Sequence, residues 1–398
     1  MSIIRNKIII WGTDDFNTLG ILRQFGQHNL DVLFLIKGKA GISTKSKFCR
    51  NFIETSTIVD GYNYLIHQFS NELLKPIIIT SGDDIITFID VHSDVLKNFF
   101  ILPGSKQQGL IERYIDKNNM TALANEVGIK CPQSKFIKYD SSIDNIIYPC
   151  IIKPSHEKVG RYNEFKVRKC TNREDLRKIL KLVNKESEFI VQQYIPKEKE
   201  VLLYGGRMAD GNTIIAGAFI KDRLLKSGPG SHGIVTDKIP KSINLHMISL
   251  FLEKIDYIGP FSFEYGIIGN NAYFFEVNLR NDGTSHYFYQ AGAIILLAYV
   301  YSCVGLDYSK ISTKVVGDNR FIDEVYDIEN IITFRVSYAK WKLDRKEATI
   351  FRFYSKDDDM PYRYLRKFRL INILISIFLT RFRIYIVRIG EKFGLKKI

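Results

Sequence analysis

The sequence has little cysteine, no dinucleotide fingerprint and no long apolar run. Its five cysteines (Cys49, Cys131, Cys150, Cys170 and Cys303) form no CxxC pair and no metal-ligand spacing. No GxGxxG follows the first strand-like run, so the usual Rossmann signature is missing. No apolar stretch reaches the roughly 20 residues that a membrane-spanning helix requires. Only six residues precede the first strand-like run, too few for a signal peptide, and the expected setting is a reducing cytoplasm.

What the chain does have is basic charge, +14 over 398 residues, with 45% hydrophobic content and length enough for two or three domains. Such an excess suggests a nucleic-acid partner only if it covers a binding face. Here residues 332–398 hold 17 Lys/Arg against 6 Asp/Glu and carry +11 of the total. The basicity belongs to the tail, and no nucleic-acid partner is expected.

Residues 1–113 alternate short buried-strand candidates (7–11, 32–36, 76–80) with amphipathic segments, the pattern of an open α/β domain. Gly12-Thr13-Asp14 and Ser81-Gly82-Asp83-Asp84 follow two of these strands, where open parallel sheets bind ligands. The plainer reading is helix N-capping by Thr13 or Asp14 and by Asp83. From Arg113 a helix runs to Gly128, followed by strands at 134–139 and 148–154, the latter ending in Lys153-Pro154. A loop with His156, Lys158, Gly160 and Arg161 leads to a strand at 165–168, a helix at about 172–183 and a strand at 189–195. Antiparallel strands at 200–208 and 213–220 meet at Asp210-Gly211, 227–233 reads as a flexible loop, and 243–255 reads as a helix. Aromatic runs at 331–338 and 348–354 read as strands packed on the core.

The stretch 262–280, SFEYGIIGNNAYFFEVNLR, reads as a β-hairpin around Gly269-Asn270-Asn271. A three-residue loop sets Glu264 opposite Glu276, with Asn278 on the same face and Phe263, Tyr265, Ile267, Tyr273, Phe275 and Val277 on the core face. Opposed Cβ atoms lie about 5 Å apart, where two carboxylates repel and need a neutralising partner. That partner is either a hard cation such as magnesium or a nearby Lys or Arg.

The order Asp116-Lys117, Ile152-Lys153-Pro154, Val191-Gln192-Gln193-Tyr194-Ile195, Glu200, Phe263-Glu264 and Phe275-Glu276-Val277-Asn278-Leu279-Arg280 resembles the ATP-grasp superfamily, in its carbamoyl-phosphate-synthetase-like and biotin-carboxylase-like branch. The resemblance covers roughly residues 1–306. It implies an N-terminal open α/β domain (1–113, the pre-ATP-grasp unit), then a two-lobed ATP-grasp fold with antiparallel sheets (114–306, lobes about 114–190 and 191–306), and a C-terminal extension (307–398). It further implies that Lys117 and Lys153 contact ATP phosphates, that Gln192, Gln193, Tyr194 and Ile195 form the adenine hinge, and that Glu200 lies near the ribose or hinge. Glu264, Glu276 and Asn278 would hold Mg2+ (or Mn2+), and Arg280 would stabilise the phosphorylated intermediate. Two departures stand out: the phosphate loop has a single glycine, and the hinge has Gln192-Gln193 where many members carry an acid.

Lys221, Arg223 and Lys226 form a basic cluster suited either to clamping an anionic substrate or phosphoryl group, or to lying exposed at a hairpin end. Residues 360–395 read as a basic amphipathic helix with an apolar run at 370–379, fit to lie on an anionic membrane surface or to dock on the protein or a second subunit of a homodimer. The resemblance implies an ATP-dependent carboxylate–amine ligase acting through an acyl phosphate. By analogy with relatives that build cell-wall peptides, its substrate is expected to be a cell-envelope or polysaccharide precursor at the inner face of the membrane. The opposing reading is a non-catalytic nucleotide-binding or regulatory homologue.

Overall fold

The computed structural model describes residues 4–138, 141–154, 167–183 and 188–367. The expected phosphate loop at 156–161, part of the strand expected at 165–168 and the basic helix beyond 367 lie outside the described residues. Four parallel strands, β1 (Ile8–Gly12), β2 (Val32–Lys37), β3 (Asn51–Thr55) and β4 (Ile77–Thr80), stand in the order β3-β2-β1-β4. β1 and β4 are buried throughout because helices cover both faces. Ile8 and Ile10 pack with Leu22 and Phe25 of the helix Phe16–Gln27, while Ile9 and Trp11 pack with Leu65 and Ile85 on the other side.

A two-residue strand, β5 (Gly104–Ser105), leads into a small antiparallel sheet of β6 (Ser134–Lys138), β7 (Cys150–Pro154), β8 (Arg168–Cys170) and β9 (Glu188–Gln193), ordered β6-β9-β7-β8. Its apolar face, including Cys150, Ile152 and Val191, packs with Leu176 and Leu180 of the helix Arg173–Leu182. Strand alternation then turns Lys153 away from that core.

The large sheet contains β10 (Lys199–Arg207), β11 (Thr213–Leu224), β12 (Gly230–Thr236), β13 (Tyr257–Ile268), β14 (Asn271–Asn278), β15 (Asp318–Ile322) and β16 (Ile350–Phe351), in the order β14-β13-β10-β11-β12-β15-β16 with β5 beside β13. Val201, Leu203, Phe263, Tyr265 and Val277 face the helices Lys117–Glu126 and Leu245–Lys254. On the other face Leu202, Tyr204, Ala216 and Phe219 share one core with the helix Ile295–Cys303 and with Ile8 and Ile10 of the parallel sheet. Among the described residues no helix is long and apolar enough to cross a membrane.

Several local expectations are corrected. The stretch 227–233 is a loop only as far as Pro229, and Gly230 opens β12. Gly233 serves close packing: a Cβ there would meet the Ile220 carbonyl oxygen at 2.2 Å. The run 331–338 is not a strand. The helix Ile328–Ile332 ends in a turn with Phe334 at φ +58°, and a second helix occupies Tyr338–Glu347. Buried Asn330 forces this, because its carbonyl accepts from the Arg335 and Val336 amides while its side chain reaches the Leu224 carbonyl and Ser231 Oγ. The strand expected at 348–354 shortens to β16. The first long helix is capped by Asp15 rather than Thr13 or Asp14, and the helix Asp83–Val91 begins after Gly82 with no side-chain cap.

The chain around Asp358 is tied to the helix Phe16–Gln27 beside the parallel sheet by a fully buried ion pair. Arg23 Nε lies 2.8 Å from Asp358 Oδ2, and the same carboxylate accepts from Ser46 Oγ at 2.7 Å and the Lys47 amide at 2.9 Å. Removing one partner of such a pair strands a desolvated charge. Asp358→Ala is therefore expected to lower unfolding free energy by about 3–5 kcal/mol in denaturant titrations. A loss below about 1 kcal/mol, the size of an exposed pair, would rule out this clamp as a stabilising element.

Candidate active site

The β13–β14 hairpin sets Glu264 directly opposite Glu276, although by a different route from the one expected. The loop is the two residues Gly269-Asn270, which pairs Ile268 with Asn271 and Tyr265 with Phe274. A bulge at Phe275 then adds the missing residue and restores the Glu264–Glu276 and Ser262–Asn278 pairs. The core face near the turn consequently carries Ala272 and Phe274, both buried, in place of Tyr273 and Phe275. Phe275 turns into the cleft described below, with Lys197 Nζ 5.1 Å from its ring centre.

The same face extends across two more strands. Glu264 stands beside Leu202 on β10, and Glu200 of β10 stands opposite Lys221 of β11. Lys221 Nζ bridges Glu200 at 2.6 Å and Glu264 at 2.9 Å, and Lys197 also pairs with Glu200. Burial acts to raise the Glu200 carboxyl, but Lys221 and Lys197 outweigh it and hold it low. For Glu264 the balance is opposite: burial pushes its carboxyl well up, Lys221 opposes, and Glu276 pushes further. Lys221 is held charged against its own burial by Glu264 and Glu200. Among the described residues Glu276 has no ion-pair partner, and no group of three or more His, Cys, Asp or Glu could hold a metal unaided.

Lys153 faces this region from the small sheet. Burial lowers it to about 8, nearby Lys117 adds to the effect, and Glu276 opposes it. Its Nζ lies 3.4 Å from Gln192 Oε1, whose amide in turn donates to Ser134 Oγ. Gln193, Tyr194 and Ile195 lie where the chain leaves β9 for β10, between the small and large sheets. The Tyr194 amide donates to the Pro149 carbonyl, Lys169 covers its ring at 3.7 Å, and Ile195 is buried. Lys117, Lys153, Glu276, Glu264, Glu200 and Lys221 thus form a connected neighbourhood.

Arg280 pairs with Asp83 (2.5 and 2.9 Å) and donates to Asn278 Oδ1 at 3.3 Å. This brings the loop after β4 to the hairpin, a junction locked by Asn17, which donates to the Ser81 and Asn281 carbonyls. Asn278 Nδ2 reaches Ser262 Oγ at 3.0 Å and Asp282 at 3.2 Å. Arg223 turns away, because a bulge between Lys221 and Arg223 sends it to Asp327 (2.5 Å) and Asp344 (3.0 Å). Glu200, Lys221, Glu264, Glu276 and Arg280 line a cleft of 670 Å³. Sequence reasoning missed Asp282, Tyr287 and Arg352 in its wall. Asp282, two residues beyond Arg280, was within reach of the motif, whereas nothing local marks Arg352. Buried Arg352 enters from the extension and bonds Tyr287 Oη at 2.6 Å and the Gly230 carbonyl at 2.8 Å.

The shared lysine gives a test in the absence of ligand. A carboxyl raised in the native state binds more protons folded than unfolded, so its contribution lowers stability as pH climbs through that window. Lys221→Ala removes the opposing cation, and the expected loss is about 3–5 kcal/mol, larger at about pH 8 than at about pH 5. A pH-independent loss would mean that Lys221 acts by packing alone.

No family model matches the chain, and no curated protein matches it. Solved structures match by shape. An N5-carboxyaminoimidazole ribonucleotide synthetase in its ADP complex superposes with a TM-score of 0.65 at 14% identity, covering 84% of this chain and 86% of that one. N5-carboxyaminoimidazole synthetase from Staphylococcus aureus, complexed with ADP, gives 0.64 at 15% identity, covering 85% and 86%. L-amino acid ligase from Bacillus licheniformis gives 0.60 at 14% identity, covering 78% of each chain. At such identity the likeness carries architecture alone: the chain has the mixed parallel and antiparallel α/β build of these enzymes, an ATP-grasp-like fold.

Proposed function

We propose that the chain is an ATP-dependent carboxylate–amine ligase that phosphorylates a carboxylate, lets an amine displace the phosphate, and releases ADP and phosphate. The observation that carries this reading is the single cleft face shared by Glu276, Glu264, Glu200 and Lys221 on four adjacent strands, with Lys153 beside it. The donor set suits a hard divalent cation, since Glu264 is destabilised by burial and by Glu276, and Glu276 lacks a counter-ion among the described residues. Magnesium or manganese at Glu264, Glu276 and Asn278 would supply charge neutralisation for the transferring phosphoryl group.

The chain's own residues would do the rest. Lys117 and Lys153 would hold ATP phosphates as point charges, and Gln192, Gln193, Tyr194 and Ile195 would border the adenine at the crossing between sheets. Glu200, fixed by Lys197 and Lys221, would lie near the ribose. Arg280, oriented by Asp83, would stabilise the acyl phosphate, and Lys221 would steady the anionic groups beside Glu264. Arg223, taken up by Asp327 and Asp344, would act only by fixing β11. The acid and amine would be cell-envelope or polysaccharide precursors, by analogy with ligases of that class. The 2.9 Å contact between Lys221 and Glu264 favours a second reading, in which lysine stands permanently in the cation's place and the protein binds nucleotide without turnover. An ADP-release screen over acids and amines separates the two, because turnover with any pair excludes the second.

Two variants test the assignment. Glu276→Gln, on the cleft side of the hairpin, is expected to abolish magnesium-dependent ADP release while its thermal unfolding stays near wild type; undiminished turnover would remove Glu276 from the cation site. Lys153 at about 8 should take up a proton when a phosphate binds, about half a proton per site near that pH. Calorimetry of ATP binding in buffers of different ionisation enthalpy measures this, and Lys153→Ala should lose both the uptake and most of the affinity. Unchanged affinity would return Lys153 to a purely structural role.

A further inference from the structure

The C-terminal extension carries a second feature, unrelated to the cleft chemistry. Phe334 is 95% exposed at the tip of the turn between the helices Ile328–Ile332 and Tyr338–Glu347, with Ile332 half exposed beside it. This turn is built, not loose. Its backbone is left-handed at Phe334, the Phe334 amide bonds the Ile331 carbonyl, and the Arg335 and Val336 amides both bond the carbonyl of fully buried Asn330. A fixed turn that holds a bare phenylalanine in water spends stability without any return inside the molecule.

Exposed charge around the turn is mainly basic, because Glu329 accepts from the Lys226 amide and Glu347 pairs with Arg320. At about 100° per residue, the face of the helix Tyr338–Glu347 opposite buried Trp341 and Asp344 is centred on Ala339 and Lys346 and carries Lys342 and Leu343, flanked by Tyr338, which stacks on Trp341, and by Glu347, which pairs with Arg320. Tyr338 and Leu343 are 64% and 48% exposed. Arg335 flanks the phenylalanine, and residues 332–347 hold five Lys/Arg against two Asp/Glu. A second copy of the chain would bring the same positive face and be repelled. Aromatic and aliphatic side chains interspersed with lysine, on a fixed protrusion, match the headgroup region of an anionic bilayer, where apolar groups insert and cations meet lipid phosphates.

We propose that the Phe334 turn and the outward face of the helix Tyr338–Glu347 form a membrane-docking surface for anionic lipid. Phe334 and Ile332 insert at the interface, and Arg335, Lys342 and Lys346 lie against the headgroups. The surface is joined to the cleft rim by hydrogen bonds. Asn330 donates to the Leu224 carbonyl and Ser231 Oγ, and the Lys226 amide bonds Glu329, so the turn at Ser227–Pro229 that borders the cleft is set by the same elements. Docking orients the cleft relative to the bilayer whether or not the proposed ligase reaction is correct.

The test is co-sedimentation of the full chain with phosphatidylcholine vesicles, with or without phosphatidylglycerol, at low and at physiological salt, with no turnover required. Wild type is expected to bind only the anionic vesicles and to weaken as salt rises. Phe334→Ser is expected to reduce that binding about tenfold, as is Lys342→Glu combined with Lys346→Glu, while Phe52→Ser, an exposed phenylalanine of the first domain, leaves it unchanged. Unfolding curves matching wild type confirm that each variant is folded. Equal vesicle binding by wild type and the folded Phe334→Ser variant overturns the proposal. So does an absence of binding to the anionic vesicles by the folded wild type, whether or not it self-associates or binds nucleic acid through the same turn.

Discussion

Two carboxylates held face to face on neighbouring strands set the electrostatics of the cleft. Glu264 and Glu276 repel in a half-buried setting, and the fold meets that repulsion from one side only, with Lys221 reaching Glu264 from two strands away. Lys221 is shared with Glu200, so one cation serves two acids while Glu276 is left without a partner among the described residues. The local deficit of positive charge lies on the cleft face, close to the lysines of the small sheet. In the ligase proposed above, a hard cation and an anionic phosphate chain would both gain from this arrangement, since neither would arrive to find its partners fully satisfied.

The scaffold that holds this pair is assembled from distant parts of the sequence. The helices that follow β4 and β1 contribute Asp83, which orients Arg280, and Asn17, which locks Asn281 beside it. The C-terminal part of the chain supplies Arg352 to the cleft wall and closes on the helix Phe16–Gln27 through the Arg23–Asp358 pair. These contacts span between 65 and 335 positions of sequence separation, and each ends in a buried or half-buried polar group. The extension is therefore part of the cleft's architecture.

The sequence made some of this legible and hid the rest for physical reasons. Period-two alternation and a glycine turn exposed the hairpin and its acidic pair, and the strand ending in Lys153-Pro154 was clear from its apolar run. The bulge at Phe275 was not, because Phe274 and Phe275 are the same residue and nothing local says which one faces the core. The run 331–338 looked like a strand because β-branched and aromatic residues are enriched there, yet that composition also describes a surface that exposes them. The partners of Lys221 and Arg280 are set by tertiary pairing, which no local pattern encodes.

The central claim is that the opposed carboxylates form a cation site that Lys221 guards in the free protein. The most direct measurement is a crystal structure of the chain with manganese and a non-hydrolysable ATP analogue, using the anomalous signal of manganese. A manganese peak is expected within bonding distance of both Glu264 and Glu276, with the analogue's phosphates against Lys153 and Lys221 withdrawn from Glu264. Bound nucleotide with no manganese between the two glutamates, and Lys221 still joined to Glu264, would contradict it.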